Sequence, residues 1–171
     1  FHIVMEHLVQ IKSTLHEPVV VTADLGFAKK GRNFAAGLDA PMAFIEKRRV
    51  ANDAKAEALT IIGHINGHDI ILVDDEVSTG GSLSQAGEIL KTNGARDIYM
   101  VFVHAALTSE GAKKLADLPV AKFITTNTIP IKPGMAKLFG DRLVVLSVAD
   151  LLGEVICRAN QGRSVGEMFG E

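Results

Sequence analysis

Several stretches of this chain are apolar at every position for the length of a strand, among them Val19-Val20-Val21, Ile70-Ile71-Leu72-Val73, residues 98–103, and Leu143-Val144-Val145-Leu146. A strand with one wet face alternates apolar and polar residues, so an unbroken apolar run demands cover on both faces. Between these runs the period changes to that of a helix. Val4, Leu8, Ile11 and Leu15 recur at helical spacing, and Phe34, Ala35 and Leu38 mark a helix ending near Asp39-Ala40-Pro41, before a strand at Met42-Ala43-Phe44-Ile45. Leu83, Ala86, Ile89 and Leu90 predict a helix stopped at Gly94, and 109–118 and 147–159 read as helices with a strand at Phe123-Ile124 between them. Ser147 with Asp150 and Ser164 with Glu167 have capping-box spacing. Residues 47–55 start basic, lack a period and read as a loop. Strands alternating with helices in this way predict an α/β fold, a mostly parallel sheet flanked by helices.

The 171 residues amount to one domain, 1–171, with 47% hydrophobic and 22% charged residues, which excludes a disordered or fibrous chain. Eighteen basic and twenty acidic residues give a net charge of −2, the wrong balance for a protein held to nucleic acid by its charge. No apolar run approaches a membrane span. The single cysteine, Cys157, has no partner for an internal disulfide and sits on the apolar side of a helical stretch, so it is read as core in a cytoplasmic protein. The opening residue is Phe1, and the chain is expected to be a piece of a longer one.

The chemistry concentrates where the run 70–73 ends. Asp74 and Asp75 follow it, then Ser78, Thr79, Gly80, Gly81 and Ser82, then a helix. A glycine-rich turn between a strand and a helix aims backbone N–H groups at an anion. Thr79 and Ser82 add hydroxyl donors, while Asp74 and Asp75 suit vicinal hydroxyls. A phosphorylated sugar satisfies both halves. The competing reading has the acids capping the helix and the glycines merely turning the chain. No lysine follows the glycines, which excludes a Walker A loop, and the glycine spacing is wrong for a dinucleotide fingerprint. His64, His68 and His104 lack metal-ligand spacing; His104, at a strand end, is read as structural or solvent-facing.

The stretch VDDEVSTGGS at 73–82 resembles the phosphoribosyl-pyrophosphate loop of the type I phosphoribosyltransferase fold. Together with VVTADLG at 20–26, FIEKRR at 44–49, TNTIP at 126–130 and SVGEMF at 164–169, the chain resembles the carboxyl-terminal half of the ribose-phosphate pyrophosphokinase family. The resemblance covers essentially the whole chain in the family's order. It implies transfer of the diphosphoryl group of Mg-ATP to the 1-hydroxyl of ribose 5-phosphate. Asp74 and Asp75 would then hold the ribose hydroxyls, and Ser78, Thr79, Gly80, Gly81 and Ser82 the 5-phosphate. Asp24 would face Mg2+ and diphosphate, although capping the next helix is an equal alternative for it. Lys47 and Arg49 would stand on a mobile loop closing over the reacting phosphates, against the alternative of a solvated basic turn. A homo-oligomer is also implied.

Three positions depart from the family's pattern. Ser78 stands where an acid is usual, Phe27 where a second glycine lets diphosphate approach, and Lys30 where arginine is usual. The family's ATP-contacting residues and magnesium-binding histidine belong to the amino-terminal half. The expectation is therefore a chain that binds ribose 5-phosphate and needs that half for ATP and catalysis. Two further readings stand beside it: a noncatalytic regulatory homologue, and a free-standing phosphoribosyltransferase, against which no separate hood segment for a nucleobase is found.

Overall fold

The computed structural model describes residues 1–24, 26–49 and 57–169, without the side chains of 47–49, 57 and 58. Its strands are β1 (Val19–Thr22), β2 (Met42–Arg49), β3 (Glu57–Ile62), β4 (Ile70–Val77), β5 (Ile98–Ala105), β6 (Lys122–Thr126) and β7 (Leu143–Leu146). They form one sheet in the order β3-β2-β1-β4-β5-β6-β7, parallel throughout except for the β2–β3 pair. The helices are α1 (His2–Ile11), α2 (Ala28–Leu38), α3 (Gly81–Thr92), α4 (Ser109–Ala116), α5 (Pro133–Phe139) and α6 (Ala149–Asn160).

The two faces of the sheet carry separate cores, as continuous apolar strands require. Val4, Leu8, Phe34 and Leu38 from α1 and α2 meet Val20, Ile71, Val73 and Val101 on one face. Leu83, Ala86, Leu90, Ala112 and Leu115 from α3 and α4 meet Val21, Leu72, Met100 and Phe102 on the other. From β1 the chain winds one way through α2 to β2, and from β4 it winds the other way through α3 to β5. The adjacent strands β1 and β4 are thus the switch point of the sheet, where a crevice opens beyond their carboxyl ends.

Several expectations are corrected. Residues 47–49 continue β2 and pair with 57–59, so the first part of the expected loop is strand; 50–56 lie outside the described residues. β4 runs on to Val77, α4 stops at Ala116, and β3 and α5 were not anticipated. Cys157 is exposed, not core. The Ser147 box does not form: Val148 is the N-cap of α6 and makes no side-chain cap bond, while Ser147 Oγ accepts from the Ala149 N–H at 3.2 Å. Ser164 does meet its expectation in part, accepting the Glu167 N–H at 3.4 Å.

Asp69, only 1% exposed, ties the amino ends of β1, β4 and β5 together. Its carboxylate accepts the His16 N–H at 2.8 Å and the Asp97 N–H at 3.3 Å, and Arg96 Nε lies 3.5 Å away. Removing it leaves part-buried backbone donors without their partner and takes away a buried, ion-paired carboxylate, so Asp69→Ala should cost about 3 kcal/mol. Thermal unfolding should show that as a fall of roughly 6–12 °C in Tm. A fall too small to measure would mean that both amides find other partners.

Candidate functional site

Burial along β4 explains why its two halves differ in character. Residues 70–73 are buried, Asp74 is half-buried, Asp75 and Glu76 are exposed, and Val77 turns back into the core. The strand therefore outruns the helical layers and carries its acids into the crevice. The Asp75 N–H donates to Asp74 Oδ1 at 2.9 Å, and the Glu76 N–H donates to Asp75 Oδ1 at 2.9 Å. Both bonds stay within the strand end, so the acids do not cap α3. One oxygen of each carboxylate remains for other partners; Asp75 Oδ2 meets Lys30 Nζ at 3.4 Å in an exposed pair.

Asp74 is unusual among the acids. Burial pushes its carboxyl up from the ordinary range to about 6, the amide of Asp75 pulls it down, and the charges of Asp75 and Asp24 push it up again. Asp24, at the end of β1, and the two acids of β4 thus feel one another across the switch point. For folding, a raised carboxyl means that Asp74 contributes stability below pH 3.8, which is lost as pH rises through about 6.

After Val77 the chain makes the turn 78–80 and enters α3. Gly80 is the N-cap, at φ +69°, and provides no side-chain cap bond. The first N–H groups of a helix have no partner within it, so this end presents donors and the positive end of the helix dipole. A cavity of about 130 Å³ opens there, lined by Asp74, Glu76 and residues 77–83. The loop is held from behind by α4: the Thr108 N–H donates to the Ser78 carbonyl at 3.1 Å, and Thr108 Oγ1 caps α4 through the Gly111 N–H at 3.0 Å. A Cβ on Gly111 would strike the Ser78 carbonyl and lie 2.9 Å from the Thr79 carbonyl carbon. Thr108 and Gly111 were not singled out from sequence; Thr108, directly before a helical segment, was the available signal.

Asp24 Oδ1 accepts the Phe27 N–H at 3.0 Å, so it does fix the turn into α2, and among the described residues no hydrogen bond reaches its other oxygen. Phe27 is 8% exposed and packs with Val4, Leu8 and Phe34. Its ring therefore faces the core beneath the turn, with Lys30 Nζ 5.1 Å from its centre. Among the described residues no group of three or more His, Cys, Asp or Glu is arranged to hold a metal. A Mg2+ fits such a place only by taking one or two carboxylates and completing its shell with ligand phosphates and water.

Lys47 and Arg49 belong by backbone to β2, and their side chains lie outside the described residues. β1 pairs with β2 only at 42–44, while β2 and β3 pair on to Arg49. Residues 47–49 thus lie on a two-stranded ribbon that overhangs the same end of the sheet as Asp24 and Asp74. His104 is structural: its Nδ1 lies 2.9 Å from Thr128 Oγ1, and the Thr126 and Thr128 hydroxyls donate to the Val103 carbonyl at 2.8 and 3.2 Å.

Comparison with known proteins agrees with this fold. The family model described as the phosphoribosyl synthetase-associated domain matches residues 48–170. A ribose-phosphate pyrophosphokinase of Nostoc sp. is 42% identical over 156 residues, covering 91% of this chain and 46% of the relative. A crystal structure of phosphoribosylpyrophosphate synthetase from Mycobacterium smegmatis superposes with a TM-score of 0.83 at 28% identity, over 93% of this chain and 50% of that one. An adenine phosphoribosyltransferase structure shares the fold, with a TM-score of 0.54 at 23% identity over 70% of this chain and 74% of that chain. The chain spans about half the length of the curated relatives it matches. No helix among the described residues is long and apolar enough to cross a membrane.

Proposed function

Because the chain belongs to the phosphoribosyl synthetase-associated domain family, we propose that it is the ribose 5-phosphate-binding half of a ribose-phosphate pyrophosphokinase, the enzyme that makes phosphoribosyl pyrophosphate from ATP and ribose 5-phosphate. The observation that carries the proposal is the junction of two opposite electrostatic environments at one strand end. The uncapped start of α3 and the turn 78–80 favour a phosphate, and the carboxylates of Asp74 and Asp75 accept from neighbouring hydroxyls. Ser78, Thr79, Gly80, Gly81 and Ser82 hold the 5-phosphate in this reading.

Diphosphoryl transfer gives a protein little covalent work and much positioning and charge neutralisation. Asp24, through its second oxygen, would hold Mg2+, which when bound offsets charge on the diphosphate. Lys47 and Arg49, whose backbone belongs to the overhanging ribbon, supply the cations for the reacting phosphates in this reading. ATP contacts come from the other half of a full-length protein, and the reading carries a cytoplasmic homo-oligomer. The bulk of Phe27 is taken up by the core with Val4, Leu8 and Phe34, which favours catalysis over the regulatory homologue.

Titration calorimetry without metal tests the site, because pH addresses Asp74 separately from the cradle. As pH rises from 5 to 7.5 the Asp74 carboxyl ionises and becomes a better acceptor for sugar hydroxyls, so ribose 5-phosphate should gain affinity. Inorganic phosphate gains only through its own charge. The gain for ribose 5-phosphate should exceed that for phosphate by about tenfold, from a charge-assisted pair of hydrogen bonds. Asp74→Asn should make the two gains equal. A ribose 5-phosphate profile unaffected by Asp74→Asn would remove Asp74 from the sugar site.

A further inference from the structure

We propose that a cavity between α4 and α5, away from the strand-end crevice, binds a phosphate monoester that carries an apolar body. The cavity, about 450 Å³, is lined by Ser109, Lys113, Lys132, Gly134, Met135 and Leu138. It has no lining residue in common with the cavity at the start of α3, so it is a separate site. Its volume falls within the roughly 300–1,000 Å³ of a whole-ligand site.

Helical spacing explains how these residues meet. Ala112 and Leu115 turn one side of α4 into the core, and Phe139 does the same for α5. Ser109 and Lys113 are one helical turn apart and share another side of α4, as Gly134 and Leu138 share a side of α5. Gly134 adds no side chain to the space. A Cβ there would meet nothing within 4 Å, and the residue has no positive φ that would call for glycine. The fold therefore does not require the hollow to stay open at this position.

The lining selects the ligand. Lys113 on α4 and Lys132 at the N-cap of α5 bring ammonium groups from two different elements. Among the described residues no carboxylate pairs with either lysine, and none lines the cavity. Two such cations match a group with close to two negative charges, which a phosphate monoester carries at neutral pH and a carboxylate does not. Ser109 adds a hydroxyl donor. Met135 and the 40% exposed Leu138 offer apolar surface to the rest of the ligand, and a thioether suits an aromatic ring. A bare phosphate would leave that surface wet.

The test is calorimetry at neutral pH with phenyl phosphate, inorganic phosphate and phenol. The titrations use the Gly81→Val chain, so that binding at the start of α3 does not contribute. Phenyl phosphate should bind roughly tenfold tighter than inorganic phosphate, through burial of its ring. Adding Gly134→Leu should fill the hollow, leave thermal unfolding unchanged and remove the binding. Lys113→Met and Lys132→Met, at exposed positions where folding is not at stake, should each weaken it roughly tenfold, the loss of one charge-assisted hydrogen bond. Absence of phenyl phosphate binding in the Gly81→Val chain would overturn the proposal, as would binding that survives Gly134→Leu or both lysine variants. Inorganic phosphate binding as tightly as phenyl phosphate would overturn the apolar half of the site, and phenol binding as tightly would overturn its anionic half.

Discussion

Gly80→Val should cost about 3 kcal/mol of stability, from a left-handed backbone and overpacking together, whereas Gly81→Val should fold normally and lose phosphate binding. The two glycines are adjacent and look equivalent in the sequence, yet the structure gives them opposite duties. Gly80 sits at φ +69°, and a Cβ there would point backward onto α4, 3.0 Å from Leu115 Cγ and 3.2 Å from the Gly111 carbonyl. Gly81 has an ordinary backbone, and a Cβ there would meet nothing nearer than Thr79 Oγ1 at 3.8 Å, in the open space of the cradle. Thermal unfolding should separate the variants, with Gly80→Val melting roughly 6–12 °C lower and Gly81→Val close to the parent. Ribose 5-phosphate titration should show Gly81→Val weakened by roughly 100-fold, the loss of one or two charge-assisted hydrogen bonds. Unchanged affinity in Gly81→Val would remove the phosphate from the start of α3.

The same pair shows where sequence reading succeeds and where it stops. That a glycine-rich turn follows an apolar strand is local information, and it is what marks the candidate site in the sequence. Which glycine faces α4 and which faces the open cavity depends on Gly111 and Leu115, some thirty residues away along the chain, and no local pattern carries that. The central strands were legible because being buried on both faces leaves an unbroken apolar run. β3, at the edge of the sheet, has no such requirement and was missed. β4 was cut short at Val73 because its last residues are acidic, although they continue the strand past the helical layers. α5, which opens on Pro133 where a proline loses no hydrogen bond, is seven residues long and too short to show a period, and it was missed. Cys157 was misplaced for a different reason: α6 is amphipathic, but Leu152 and Ile156 on it are exposed as well, so its apolar residues do not report which side faces the sheet.

The isolated chain should form no AMP from ATP and ribose 5-phosphate above background, and a protein of the relatives' full length should restore the reaction. The reason lies in what the sheet end presents. In the proposed reading the acids and the anion cradle serve the sugar phosphate, the overhanging β2–β3 ribbon brings the backbone of Lys47 and Arg49 to the same end, and ATP is left to the other half. In the full-length protein Lys47→Ala should lower kcat by roughly 100-fold, as for loss of a group that meets charge developing in the transition state. It should leave ribose 5-phosphate affinity within about twofold, since the proposed reading assigns ground-state binding to Asp74, Asp75 and the cradle. A Lys47→Ala enzyme that loses affinity and keeps kcat would place the lysine on the sugar phosphate. Robust turnover by the 171-residue chain would overturn the half-enzyme reading. An inactive full-length protein that Ser78→Asp with Phe27→Gly fails to rescue would assign the chain to regulation, because the sugar site would then remain without the chemistry it evolved to position.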